Sequence, residues 1–170
     1  MLLALAVVAA PAAIGQEVQA RVDAKRDWSV FVAEDPKECW IVSAPTDSSA
    51  ERGGRSVSVN RGEIMLMVGI RPDSDVANEV AFTGGYPFRP DSTVNLAIGT
   101  NRFELFTENN GDEGWAWPAS PEEDTRIVTA MRRGVTATLT GLSNRGTTTT
   151  DTVSLLGFTA ALERAQELCS

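Results

Sequence analysis

Apolar and polar residues alternate with a period of two through most of the chain, the pattern of strands with one buried and one solvated face. Trp28-Ser29-Val30-Phe31-Val32 opens it. Val57 and Val59 then alternate with Ser56 and Ser58, and Asn60-Arg61-Gly62 reads as a turn. Ile64 to Ile70 (IMLMVGI) is apolar on both faces, which predicts a central strand covered on both sides and ended by Pro72. Val80 and Phe82 alternate with Glu79, Ala81 and Thr83 until GGYPF breaks the run. Val94, Leu96 and Ile98 repeat the pattern, Gly99-Thr100-Asn101 turns, and Phe103 and Leu105 return. Toward the end Val135, Ala137 and Leu139 are expected inside and Thr136, Thr138 and Thr140 outside. Asn144-Arg145-Gly146 suits a three-residue hairpin loop with glycine in the left-handed region. On the returning strand Thr148, Thr150, Thr152 and Ser154 are expected outside, Val153 and Leu155 inside. This alternation favours a solvated strand face over a glycosylated threonine tract.

The period changes to that of a helix in two places. Ser120 is an N-cap candidate, Pro121 follows at the first helical position, and Glu123 completes a capping box. Ile127, Val128 and Met131 form the buried stripe, Arg132 and Arg133 suit the negative end of the dipole, and Gly134 supplies the stop. At the C-terminus Phe158, Leu162, Ala165 and Cys169 recur at helical spacing. The expected fold is α+β, mostly β: an antiparallel β-sandwich or partly open barrel of about eight or nine short strands with a mid-chain and a C-terminal helix.

The N-terminus follows neither period. Met1 to Gly15 carries no charged side chain, and its apolar run of about ten residues is too short to cross a bilayer about 30 Å thick. Ala13-Ile14-Gly15 fits signal peptidase, so 1–15 reads as a signal peptide cut before Gln16, although no Lys or Arg precedes the apolar run. The alternative is a buried N-terminal helix or strand. Residues 16–27 then read as a flexible segment and 28–170 as a single domain. No later stretch approaches twenty apolar residues, so no transmembrane segment is expected in the mature chain. Export places Cys39 and Cys169 in an oxidising compartment, where two cysteines permit one pairing. A structural staple is favoured over a redox-active pair, because the CxxC spacing is absent.

Composition then removes function classes. Histidine is absent, which excludes Ser-His-Asp and Cys-His catalysis, histidine-ligated zinc and HExxH proteases. Fifteen basic residues stand against 23 acidic ones, net −8, a balance that disfavours nucleic acid as a partner. Lys25 and Lys37 are the only lysines, and neither lies in an SxxK motif. Glu122, Glu123 and Asp124 are explained by helix capping. Glu108 to Glu113 places oxygen ligands around Gly111 and offers a Ca²⁺ loop, with an acidic hairpin as the plainer reading. No cofactor is expected. Of the aromatic residues, Tyr86 and Phe88 sit in one proline-flanked loop, while Trp115 and Trp117 share a face two residues apart. These four form the candidate binding surface, with the opposing reading that Trp28, Trp40, Trp115 and Trp117 simply fill the core.

The ordered segments DWSVFVAEDPKECWIVSAP, FTGGYPF, FELFTENNGDEGWAWP and SLLGFTAALERAQELCS resemble the invasion-associated locus B family of exported bacterial proteins. The resemblance runs from Trp28 to the C-terminus. It implies a small β-rich protein that is periplasmic, surface-associated or secreted, and some pathogen members are associated with entry into host cells. It carries no catalytic residues to transfer. The expected function is therefore non-enzymatic: binding of an unidentified protein or envelope component, or a structural role in the envelope. The alternatives are a carboxylate-based glycan or peptide hydrolase and a Ca²⁺-stabilised adhesion module.

Overall fold

In the computed structural model, which describes residues 20–170, the period-two segments become twelve strands joined into one antiparallel sheet. They are β1 (Ala20–Lys25), β2 (Trp28–Glu34), β3 (Lys37–Ser43), β4 (Asp47–Arg52), β5 (Arg55–Ser56) and β6 (Met65–Arg71). The second half supplies β7 (Val76–Thr83), β8 (Thr93–Ile98), β9 (Asn101–Asn110), β10 (Glu113–Trp117), β11 (Thr136–Leu142) and β12 (Thr148–Ser154). Their order across the sheet is β1-β2-β3-β6-β7-β10-β9-β8-β11-β12-β4-β5. This replaces the expected eight or nine strands, and a single sheet replaces the expected sandwich. The sheet does not close into a barrel, but it curls until distant strands touch. The Trp28 indole donates to the Ser154 carbonyl at 3.0 Å, and the Asp27 N–H reaches the Leu156 carbonyl at 3.4 Å. The expected signal peptide at 1–15 lies outside the described residues.

Alternation decides which face meets the enclosed core. Trp28, Val30 and Val32 point inward from β2, as do Val94, Leu96 and Ile98 from β8 and Ala137 and Leu139 from β11. Two helices fill the concavity. α1 (Pro121–Arg133) buries Ile127, Val128 and Met131, and α2 (Phe158–Leu168) buries Phe158, Ala161, Leu162 and Ala165. No helix among the described residues is long and apolar enough to cross a membrane. Ser120 caps α1 as expected, its Oγ accepting the Glu123 N–H at 3.3 Å. The reciprocal half of the capping box is absent. Glu123 pairs with Arg126, and Glu122 takes the Ser120 hydroxyl, which holds the Glu122 carboxyl below its ordinary range. The Asp124 side chain reaches away from its own helix and accepts the Val80 N–H at 2.7 Å, anchoring α1 to β7. Burial pushes its carboxyl upward against that hydrogen bond.

Several expectations change with tertiary context. Of the stretch 16–27 only residues from 20 onward are described, and there Ala20–Lys25 pairs with β2 as an edge strand. The Ser56–Val59 alternation does not make a strand. Val57 adds one hydrogen bond, to the Ala50 carbonyl, before the chain leaves the sheet to reach β6. β6 is not covered on both sides: Leu66 and Val68 are buried, while Met65 and Met67 on the other face are half-buried. Val135 lies on the link from α1 into β11 and is 69% exposed, although expected inside. Ser154, expected outside, is buried where the Trp28 indole meets its carbonyl. Gly134 ends α1 in an extended conformation, not a left-handed one. Its missing side chain matters for another reason, since a Cβ there would lie 2.6 Å from Ile98 Cγ2 and 2.8 Å from Leu155 Cδ1.

The cysteines pair as expected. Cys39 on β3 and Cys169 at the end of α2 form a disulfide, with Cα atoms 6.0 Å apart and 130 residues of separation. The helix is thereby fastened to the strands it packs against.

Candidate functional site

The loop before β6 and the loop after β7 meet through two glycines. Gly85 has φ of 71°, and its carbonyl accepts the Gly62 N–H at 2.8 Å. A Cβ on Gly85 would stand 2.5 Å from the Gly62 oxygen, so only glycine permits this approach. The contact sets Arg61 and Tyr86, the residues beside those glycines, against each other. The Arg61 guanidinium lies 5.1 Å from the Tyr86 ring centroid, within cation–π range.

Both side chains reach across the interior to β12. Arg61 donates from Nη1 and Nη2 to the two carboxylate oxygens of Asp151 at 2.8 and 2.6 Å, and from Nε to the Gly84 carbonyl at 2.8 Å. Ser48 adds a hydrogen bond to Asp151 Oδ1 at 2.7 Å. The Asp151 side chain is 0% exposed and that of Arg61 8%, so this is a buried, bidentate ion pair. Tyr86 and Thr149 share a hydrogen bond of 2.5 Å between their hydroxyls. Sequence pattern alone marks neither Arg61 nor Asp151 as a site residue, and it places Arg61 in a turn. One signal was available. Thr149, Asp151 and Val153 alternate with the outward threonines, which puts the aspartate on the inward face.

Above this pair opens a cleft of about 560 Å³. Arg61, Tyr86 and Thr149 form its floor, and the β4 and β11–β12 ends supply Arg52, Arg145 and Thr147 to its walls. The β11–β12 loop is the expected hairpin, with Gly146 at φ 76° and its N–H bonded to the Ser143 carbonyl. Arg52 donates from both Nε and Nη2 to the Thr147 hydroxyl, at 2.9 and 2.6 Å. Asp112 is the acidic residue on the wall.

Tyr86 is the only tyrosine in the chain, so its ionisation can be read without ambiguity. Burial pushes the phenol above its ordinary value near 10, outweighing the lowering effect of Thr149 and Arg61. A raised folded-state value means that stability is intact below the unfolded value of about 10 and falls as pH rises beyond it. An ultraviolet absorbance titration is therefore expected to show a midpoint above that of free tyrosine. A midpoint at or below the free value contradicts the buried placement.

The four aromatic residues expected to make one binding surface are separated. Tyr86 is in the cleft, whereas Phe88 is 0% exposed and belongs to the core behind it, packed 5.1 Å from Tyr86 and 6.5 Å from Phe82. Trp115 and Trp117 stack at 6.2 Å on the outer face of β10, and Trp115 borders a smaller recess that shares Gly85 and Asp112 with the cleft. The core-filling alternative also fails for three of the four tryptophans. Trp28 alone is fully buried, and Trp40 stacks on Phe31 on the outer face at 5.6 Å. In the acidic hairpin, Asn109 spends its amide on the backbone of Phe88, accepting its N–H at 2.8 Å and donating to its carbonyl at 2.9 Å. Among the described residues no group of three or more Asp, Glu or Cys stands close enough together to hold a metal ion.

Comparison with known proteins bears on the fold and the family. A crystal structure of invasion associated protein B from Bartonella henselae superposes with a TM-score of 0.61 at 18% identity, covering 86% of this chain and 96% of that one. Likeness at this identity concerns the fold. No curated protein matches at a significant level. The profile of the invasion associated locus B (IalB) protein family matches residues 28–166. With that much of its length matched, the chain belongs to the invasion associated locus B family.

Proposed function

We propose that the protein is an exported, non-enzymatic binding domain, working in the periplasm or at the cell surface, and that the arginine-walled cleft is where it binds. The observation that carries this reading is the cleft itself: a concave site with a rigid, hydrogen-bonded floor and polar walls. Concavity with a few fixed polar groups is the usual form of a ligand site. The Cys39–Cys169 disulfide supports export, since such bonds persist in oxidising compartments. The placement of carboxylates favours binding over hydrolysis. A glycan hydrolase needs two free carboxyl groups about 5 to 10 Å apart, and within the cleft Asp151 is sealed under Arg61, which leaves Asp112 as the one free carboxyl group among its lining residues. The Bartonella relative is described as invasion associated, so host-cell surfaces join the bacterial envelope as sources of a partner.

The test is capture. Immobilised, disulfide-bonded protein is exposed to solubilised envelope and host-cell fractions, beside an Asn144→Trp variant that fills the mouth of the cleft. A component retained by the native protein and lost from the variant is the expected result. Equal retention by both moves binding elsewhere, and retention by neither counts against a binding role.

A further inference from the structure

The cleft's charge does not follow that of the chain. The protein carries a net −8, yet the walls and floor of the cleft present Arg52, Arg61 and Arg145 against Asp112, with Asp151 beneath. Glu63 and Glu113 line the adjoining recess, which shares Gly85 and Asp112 with the cleft, and neither lines the cleft itself.

Among the described residues the two wall arginines lack anionic partners. Arg52 is held in place by a neutral hydroxyl, that of Thr147, which is itself 3% exposed. Neither Arg52 nor Arg145 lies within ion-pair distance of a carboxylate among the described residues. Arg52 also faces Arg55 directly across the Gly53-Gly54 turn. Like charges opposite one another on paired strands are unfavourable, and a bound anion relieves that repulsion. The floor has spare donors too. A guanidinium carries five N–H groups, and three of those on Arg61 are engaged by Asp151 and Gly84, which leaves one on each terminal nitrogen. A guanidinium fixed by Thr147, a second lining the same cleft with no carboxylate partner among the described residues, and a buried one in the ion pair make a preorganised anion cradle, which lowers the cost of ordering on binding.

We propose that the cleft binds the anionic group of a small polar ligand, a phosphate or a carboxylate, between Arg52 and Arg145 above the Arg61–Asp151 pair. This rests on the reading of the cleft as the binding site and adds the chemistry of what enters it. Ser143, Asn144 and Asn60 on the same walls supply neutral hydrogen-bonding groups for the hydroxylated remainder of such a ligand.

Calorimetric titration of the disulfide-bonded protein at low ionic strength tests it, with inorganic phosphate and succinate as separate arms and glycerol as the neutral control. At least one anion is expected to bind saturably while glycerol does not, with affinity falling as salt is added. The arm that saturates distinguishes phosphate from carboxylate. Arg145→Gln, in an exposed turn, is expected to weaken binding about tenfold or more, as loss of a charge-assisted hydrogen bond does. Arg102→Gln serves as control, because Arg102 lies outside the cleft and donates only to the Gly99 and Asn101 carbonyls. No saturable binding in either anion arm, or equal weakening by Arg102→Gln, overturns the proposal. If neither anion binds yet Asn144→Trp still abolishes capture of a partner, the anion chemistry is wrong while the cleft remains the binding site.

Discussion

Asp151→Ala is expected to lower folding stability by about 3–5 kcal/mol, the usual cost of removing one member of a buried ion pair. The substitution leaves the Arg61 guanidinium, 8% exposed, without its carboxylate, and strips Ser48 of its acceptor. The damage is not confined to one strand. Arg61 links the loop before β6 and the Gly84 carbonyl to β12, across the interior of the curled sheet. Urea unfolding of the native protein and variant measures the cost. The double variant Arg61→Met/Asp151→Leu is expected to lie closer to the native protein than Asp151→Ala does, because replacing both charges removes the unpaired one. A loss below about 1 kcal/mol for Asp151→Ala is the value of an exposed pair, and contradicts a buried one.

Breaking the Cys39–Cys169 bond is expected to cost about 2–5 kcal/mol. The cross-link spans 130 residues, so it restrains nearly the whole unfolded domain, and loop-closure entropy places the upper estimate near 5 kcal/mol. In the folded state Cys39 is 1% exposed and Cys169 7%, which leaves little access for reductant before unfolding. Chemical unfolding with and without reductant, alongside a Cys39→Ser variant, gives the two measurements. The midpoint is expected to fall in both. An unchanged midpoint, with both thiols free to alkylate in the untreated protein, removes the staple.

The disulfide was legible in the sequence because only one pairing of two cysteines exists, and because Cys169 continues the Phe158–Leu162–Ala165 stripe. The ion pair was not. Arg61 lies in a segment whose local chemistry, Asn-Arg-Gly, is that of a turn, and its partner stands 90 residues away. No local pattern distinguishes an arginine that turns inward from one left in solvent. Asp151 sits between the two cases. Its alternation with outward threonines placed it on the inner face, but an aspartate there makes sense only once a cation is known to arrive. The aromatic residues make the same point in reverse. Tyr86 and Phe88 are two residues apart in one loop, yet one borders the cleft and the other is sealed in the core.

Periodicity therefore determined on its own the elements with strong local signals: the β8–β9 hairpin, the threonine-faced β11–β12 hairpin, the capped start of α1 and the apolar stripe of α2. These depend on contacts within a few residues, where side-chain period and turn chemistry suffice. Composition likewise determined which chemistry was absent, through the missing histidine. Tertiary structure alone decided that twelve strands join in one curled sheet and that β1 pairs at its edge. It also decided that Arg61 meets Asp151 beneath an arginine-walled cleft. Each of these rests on contacts between segments distant in the chain, and the balance of burial and charge that selects them exists only once those segments meet.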